Sequence, residues 1–242
     1  MQIKLYQYEV MDAIQEYLYK EYGEKCVEMM NGMFSFAIYD SRSKSLFAAR
    51  DRFGVKPFFY HKSNDSFYFS SEIKAIHAAG IIKKPNEEIW ASYFAFGSYG
   101  MPNETFWEEI YQLPGGHYLE LKNNTISITK WYVFEEEVKK FDEKIPFNEV
   151  KENYAALMKN SIELRFRADV SVGFNISGGL DSSALLVFVN QLKGKENINA
   201  YTFYCGHEDY DELQQRLQEW NKHFEENKDL IFLGNNYNDI TK

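Results

Sequence analysis

The chain has 242 residues, 45% of them hydrophobic, which is enough apolar material for one large core or two modest ones and too much for a disordered chain. Its 27 basic and 36 acidic residues leave a net charge of −9, which excludes the dense positive surface that nonspecific nucleic-acid binding needs. No apolar run approaches the roughly 18–20 residues that cross a bilayer, and two cysteines, Cys26 and Cys205, are too few for a disulfide framework or a cysteine-rich metal site. The reading is a soluble, cytoplasmic protein without a nucleic-acid or membrane partner.

The chain opens with a predicted helix that places Val10, Ile14, Tyr17 and Leu18 on one face and closes at Gly23. The period then changes. Met33 to Tyr39 and Leu46 to Ala49 read as paired strands, and Phe58 to His61 with Phe67 to Ser70 as a second pair around Asn64-Asp65. Helices are predicted from Glu72 to His77 and from Glu87 to Phe94, the latter with Asn86 as N-cap behind Pro85. A third hairpin, His117 to Leu121 and Ile126 to Ile128, follows Pro114-Gly115-Gly116 and turns at Asn123-Asn124. With aromatic residues at 17%, which favour strands, positions 1–133 read as an α+β domain built on antiparallel sheet.

Positions 134–147 shift to Glu135-Glu136-Glu137, Lys139-Lys140 and Pro146 and read as a linker. From 148 to 242 the pattern alternates. A long helix carries Val150, Tyr154, Leu157, Met158 and Ile162. After it come a short strand Val172 to Ile176, a helix Ser182 to Leu192, a strand Asn199 to Cys205, a polar helix Tyr210 to Phe224 and a strand Leu230 to Leu233. Strands alternating with helices imply βαβ units and a parallel sheet. Only three strands are predicted, so the α/β domain reads as its N-terminal part alone.

The string with chemistry is Ser177-Gly178-Gly179-Leu180-Asp181-Ser182-Ser183, between a buried strand and a helix. Glycines let backbone N–H groups approach an anion, and the helix N-terminus adds partial positive charge. The three serines add hydroxyl donors. Asp181 would repel a phosphate unless a divalent cation lay between, so it reads as a magnesium ligand or a helix N-terminal residue. The spacing is neither that of the Walker loop nor that of the dinucleotide fingerprint. Glycine, serine and aspartate also suit an ordinary strand-to-helix turn.

This string resembles the pyrophosphate loop of the ATP pyrophosphatases, and its approach, Arg167 to Gly173, is similar to that of glutamine-dependent asparagine synthetases. The resemblance continues upstream in Asn31 to Asp40, Ala49 to Tyr60, Ser70 to Ala75 and Leu113 to His117, which resemble the later part of that family's glutaminase domain. It implies an N-terminal-nucleophile glutaminase-like domain followed by the start of an ATP-pyrophosphatase domain. The implied chemistry uses ATP and Mg2+ to adenylate aspartate, releases pyrophosphate, and lets glutamine-derived ammonia displace AMP. The implied partners are these small molecules, and a homodimer through the glutaminase half. Residues 177–183 would bind ATP and its pyrophosphate, with Asp181 on the metal, and Ile176 and Cys205 would lie against the adenosine.

Two departures qualify the resemblance. The family's nucleophilic cysteine follows the initiator Met, whereas Gln2 stands here, and a carboxamide cannot replace a thiolate. Gln7 stands where the family's Ser-Asp-x-Glu-Val segment, matched by Glu9-Val10, has its Asp. Cys26, within a helical pattern, is no substitute nucleophile. The family's second Ser-Gly-rich segment is also missing. The expectation is therefore a chain truncated at both ends, with no catalytic residue of its own for glutamine hydrolysis. The alternatives are a related amidotransferase acting on another carboxylate, a β-lactam-synthetase-like ligase, and a non-catalytic scaffold. Arg50, Asp51 and Lys56 have two readings: holding a tight turn beside Gly54 and Pro57, or lying near the interface between the family's two domains. Glu72 and Lys74 read as a solvated helix start.

Overall fold

The computed structural model describes residues 11–140, 144–168, 170–176, 179–193, 199–204 and 230–234. The chain divides into two compact units, Met1–Phe141 and Asp142–Lys242.

The first unit begins with α1 (Met11–Tyr22), a 3-10 turn and α2 (Cys26–Met29). Four strands follow, β1 (Ser35–Asp40), β2 (Ser45–Arg50), β3 (Phe59–Lys62) and β4 (Phe67–Ser70), then α3 (Ile73–Ala78) and α4 (Glu87–Phe96). It ends with β5 (Tyr111–Gln112), β6 (His117–Lys122), β7 (Thr125–Lys130) and α5 (Phe134–Val138). All strand pairs are antiparallel, but they form two sheets, β1-β2-β6-β7 and β4-β3-β5.

Strand β2 explains how the layers stack. Alternate side chains point to opposite faces of a sheet, and here both faces are covered. Leu46 and Ala48 join Leu119 and Leu121 of β6 against Phe58, Tyr60 and Phe67 of the second sheet and its approach, with Leu113. Phe47 and Ala49 point the other way, into a core with Cys26, Val27, Phe34 and Phe36. Leu18 and Tyr19 of α1 complete that second core, and the Tyr19 ring stacks on Phe47 at 4.8 Å. Of the predicted helical face, Leu18 packs against this core and Tyr17 is exposed, because Tyr19 rather than Tyr17 meets Phe47 of β2, while Val10 lies outside the described residues.

The second unit holds α6 (Phe147–Arg165), β8 (Gly173–Asn175), α7 (Leu180–Lys193), β9 (Asn199–Tyr204) and β10 (Leu230–Gly234). Its strands are parallel, in the order β10-β9-β8. On α6, Ile162 is buried, whereas Val150, Tyr154 and Leu157 are exposed among the described residues. The helix predicted at Tyr210 to Phe224 lies outside the described residues. Within 134–147, read as a linker, the structure places α5 and the first residue of α6.

Candidate functional site

The sequence points to one site, in the second unit, and in the first unit it singles out Arg50, Asp51 and Lys56 as a turn or an interface. In the second unit, β8 runs into a turn and α7 starts at Leu180. Ile176 closes the strand: it is buried, and its N–H donates to the Tyr201 carbonyl of β9 at 2.7 Å. This bond anchors the turn to the parallel sheet. Across the turn, Ser183 Oγ donates to the Gly179 carbonyl at 2.6 Å and Ser182 Oγ donates to the same carbonyl at 3.1 Å, while Ser183 N–H closes the first helical bond to it at 3.1 Å. These bonds fold the start of α7 tightly over Gly179.

The result is a 14-residue helix whose first turn carries Asp181 and opens toward the end of a strand. A first turn directs its backbone N–H groups and the positive end of the helix dipole outward, which suits phosphate oxygens. Leu180 and Asp181 are exposed there, and Ser182 and Ser183 are half-buried. Among the described residues no group of three or more His, Cys, Asp or Glu side chains could hold a metal ion. One carboxylate, Asp181, with the oxygens of a triphosphate and water is nevertheless a fitting donor set for Mg2+, which usually keeps several waters and binds through one or two carboxylates plus phosphates. Of the positions singled out from the sequence, Ile176, Gly179, Leu180, Asp181, Ser182 and Ser183 come together at this strand-to-helix junction. Ser177, Gly178 and Cys205 lie outside the described residues.

In the first unit the segment after β2 is built on two buried charges. Arg50 is 5% exposed and Asp51 2%. The guanidinium donates to three backbone carbonyls, from Nε to Lys56 at 2.6 Å, from Nη1 to Leu113 at 2.6 Å and from Nη2 to Gly54 at 2.5 Å. With its amide turned so that both groups are satisfied, the Gln112 oxygen accepts from Nη1 and Nη2 at 2.5 and 2.8 Å. Burial lowers the Arg50 pKa and the neighbouring Asp51 charge opposes that shift. The Asp51 carboxylate accepts from the N–H groups of Phe53, Val55 and Lys56 at 3.2, 3.0 and 2.9 Å. Charge-assisted bonds of this kind are the strong ones.

The turn so held, 52–56, lies against the Pro114-Gly115-Gly116 segment. A Cβ on Gly115 would meet the Gly54 nitrogen at 2.6 Å and the Phe53 carbonyl carbon at 2.8 Å, so glycine is required by close backbone approach. Gly116 adopts φ 66° and donates to the Asp51 carbonyl at 2.8 Å. Phe53 and Val55 remain exposed at the tip. Arg50 and Asp51 therefore hold a turn, the first of the two readings, while the exposed Lys56 contributes backbone groups to it. Gln112, absent from the sequence reading, belongs to the same network. Its signal was only its place beside Leu113-Pro114-Gly115-Gly116. Glu72 and Lys74 form an exposed ion pair at the start of α3.

Cys26 is fully buried, and burial pushes its thiol up to about 11. Neither its access nor its ionisation suits a nucleophile.

The glutamine amidotransferase domain model matches residues 13–132, and the asparagine synthase model matches residues 153–235. A glutamine-hydrolysing asparagine synthetase of Bacillus subtilis is 35% identical over 204 residues, covering 83% of this chain and 32% of the relative. A putative glutamine-hydrolysing asparagine synthetase of Methanocaldococcus jannaschii is 34% identical over 201 residues, 81% of this chain and 38% of its own length. The chain thus spans about a third of the length of these relatives. Among solved structures, the glutamine phosphoribosylpyrophosphate amidotransferase of B. subtilis complexed with ADP and GMP aligns over 90% of this chain and 45% of that one, at 13% identity and a TM-score of 0.36.

Proposed function

Since the chain belongs to the glutamine-hydrolysing asparagine synthetase family, we propose that it supplies part of the glutaminase domain and the nucleotide-binding front of the synthetase domain of a cytoplasmic carbon–nitrogen ligase. The observation that carries this reading is the strand-to-helix junction at Ile176 to Ser183, where Gly179, a helix N-terminus, two serines and Asp181 converge. Residues 177–183 bind the phosphates of ATP, with Ile176 and Cys205 against the adenosine. Mg2+, when bound, neutralises the phosphate charge beside the Asp181 carboxylate. The substrate carboxylate attacks the α-phosphorus of ATP, which forms an acyl adenylate and releases pyrophosphate. Ammonia released from glutamine then displaces AMP to give the amide. Aspartate is the acceptor in the family the chain belongs to, and a homodimer is its proposed assembly.

The test supplies ammonium directly and so bypasses glutamine hydrolysis. A polypeptide that carries residues 1–242 within the length its relatives have is expected to form asparagine and pyrophosphate from aspartate, ATP and magnesium. The Asp181→Ala variant should lose at least about tenfold in rate, equal to about 1.4 kcal/mol of barrier. An amide formed from another carboxylate, with none from aspartate, would replace the proposed acceptor. An unchanged rate in the variant would remove the metal role of Asp181.

A further inference from the structure

The three residues between β7 and α5, Trp131 to Val133, do not simply lead away from the sheet. The N–H groups of Trp131 and Tyr132 both donate to the Gly116 carbonyl, at 2.9 and 3.2 Å, and Gly116 itself donates to the Asp51 carbonyl. The exit from the first unit is therefore hydrogen-bonded to the residue that anchors the 52–56 turn.

Arg52 ties the same pieces together from the other side. It is half-buried, and its guanidinium donates to the Met30 carbonyl at 2.6 Å and to the Glu28 carbonyl at 3.2 Å, which are end groups of α2 and its C-cap. Its Cζ lies 5.1 Å from the Trp131 ring centroid and 5.4 Å from that of Tyr132. A planar guanidinium suits both tasks at once, since its edge donates hydrogen bonds while its face stacks on aromatic rings. The Trp131 ring also stacks on Phe34 at 6.2 Å, and Phe53 meets Tyr132 and Phe134 edge to face at 5.8 and 6.1 Å.

We propose that Arg52 is a latch: it clamps the strap 131–134 to the 52–56 turn and to the end of α2, so that the connector leaves the first unit from a fixed point and a displacement of the turn is passed to the connector. The turn is held by hydrogen bonds to its buried charges, and Arg52 reaches from it to the end of α2 and to both rings of the strap. The proposal concerns the mechanics of the first unit and holds whether or not nucleotide binds to the second.

Amide hydrogen exchange of the whole chain tests it. In Arg52→Ala, the Trp131 and Tyr132 amides are expected to exchange at least about tenfold faster, while Leu119 and Leu121 in β6 keep their protection. Should the alanine variant not fold, Arg52→Lys, which keeps the charge and loses the fork, is expected to accelerate the same two amides about threefold. A second readout follows the strap within the first unit. Spin labels at Glu88→Cys on α4 and Glu135→Cys on α5, in a Cys205→Ser background that leaves Cys26 in the core, should give a broader distance distribution in Arg52→Ala than with Arg52 present. Wild-type exchange at Trp131 and Tyr132 in a folded variant, or an unchanged distance distribution, overturns the latch.

Discussion

Arg50 shows how one side chain can organise distant backbone. Its acceptors include Gly54 and Lys56 a few residues on, and Leu113, which is 63 positions away. Truncation removes the donor to the buried bond at the Leu113 carbonyl and to the partly buried bonds at Gly54 and Lys56, and it removes the cation beside Asp51, so Arg50→Ala should cost about 3–5 kcal/mol, read as a lower urea midpoint with an unchanged slope. Gly115→Ala should cost about 1–3 kcal/mol in the same assay, because the new methyl meets backbone atoms that no rotamer change can move. Cys26 gives a pH signature. Its thiol is raised from 9.0 to about 11 when folded, so below about pH 9 both states are protonated and it contributes no pH dependence. Between those values the unfolded chain loses the proton first, and stability falls as pH rises. Tyr60, raised from 10.0 to about 12 by burial, extends the decline upward. Urea midpoints should drop steadily above about pH 9, and Cys26→Ala should flatten the first part of the fall.

At the level of elements, local chemistry was readable where both partners lie close in sequence. The turn at Asn123-Asn124, where both residues have positive φ, joins β6 to β7, and Asn86 caps α4, accepting from Ile89 N–H at 3.4 Å. Asn86→Ala is expected to cost about 1 kcal/mol, seen as a shift in the thermal midpoint, because the first turn of α4 loses its cap while Gly97 still ends the helix in the left-handed conformation. The division into two sheets was not readable. Periodicity yields the hairpins one by one, whereas the sheet that joins β2 to β6 depends on a pairing between residues 75 positions apart, Leu46 with Leu121. The two-residue β5 is too short to carry a period and is defined by its partner β3. Spacing alone puts Tyr17 on the packing face for a similar reason: it places residues on a common stripe, and only the sheet decides which edge of the stripe is covered.

For the molecule as a whole, the strand-to-helix junction from β8 to α7 was legible in the sequence, because glycine, serine and aspartate mark such a turn. The phosphate-binding role proposed for residues 177–183 rests on the same residue types, since they also suit an anion at a helix N-terminus. Arg50 and Asp51 could be read only as a turn or an interface, since their hydrogen-bond partners are backbone carbonyls and N–H groups, which leave no mark on the sequence. The acidic balance, net −9, is compatible with nucleotide binding because the proposed phosphate ligands are backbone amides, hydroxyls and a magnesium ion. Residues 177–183 are proposed to hold the phosphates of ATP through the α7 N-terminus and a metal on Asp181. Titration of ATP into the 242-residue chain, with and without magnesium, tests this most directly. Binding that requires magnesium and weakens at least about tenfold in Asp181→Ala is the predicted result; binding that is indifferent to magnesium and to Asp181→Ala would contradict it.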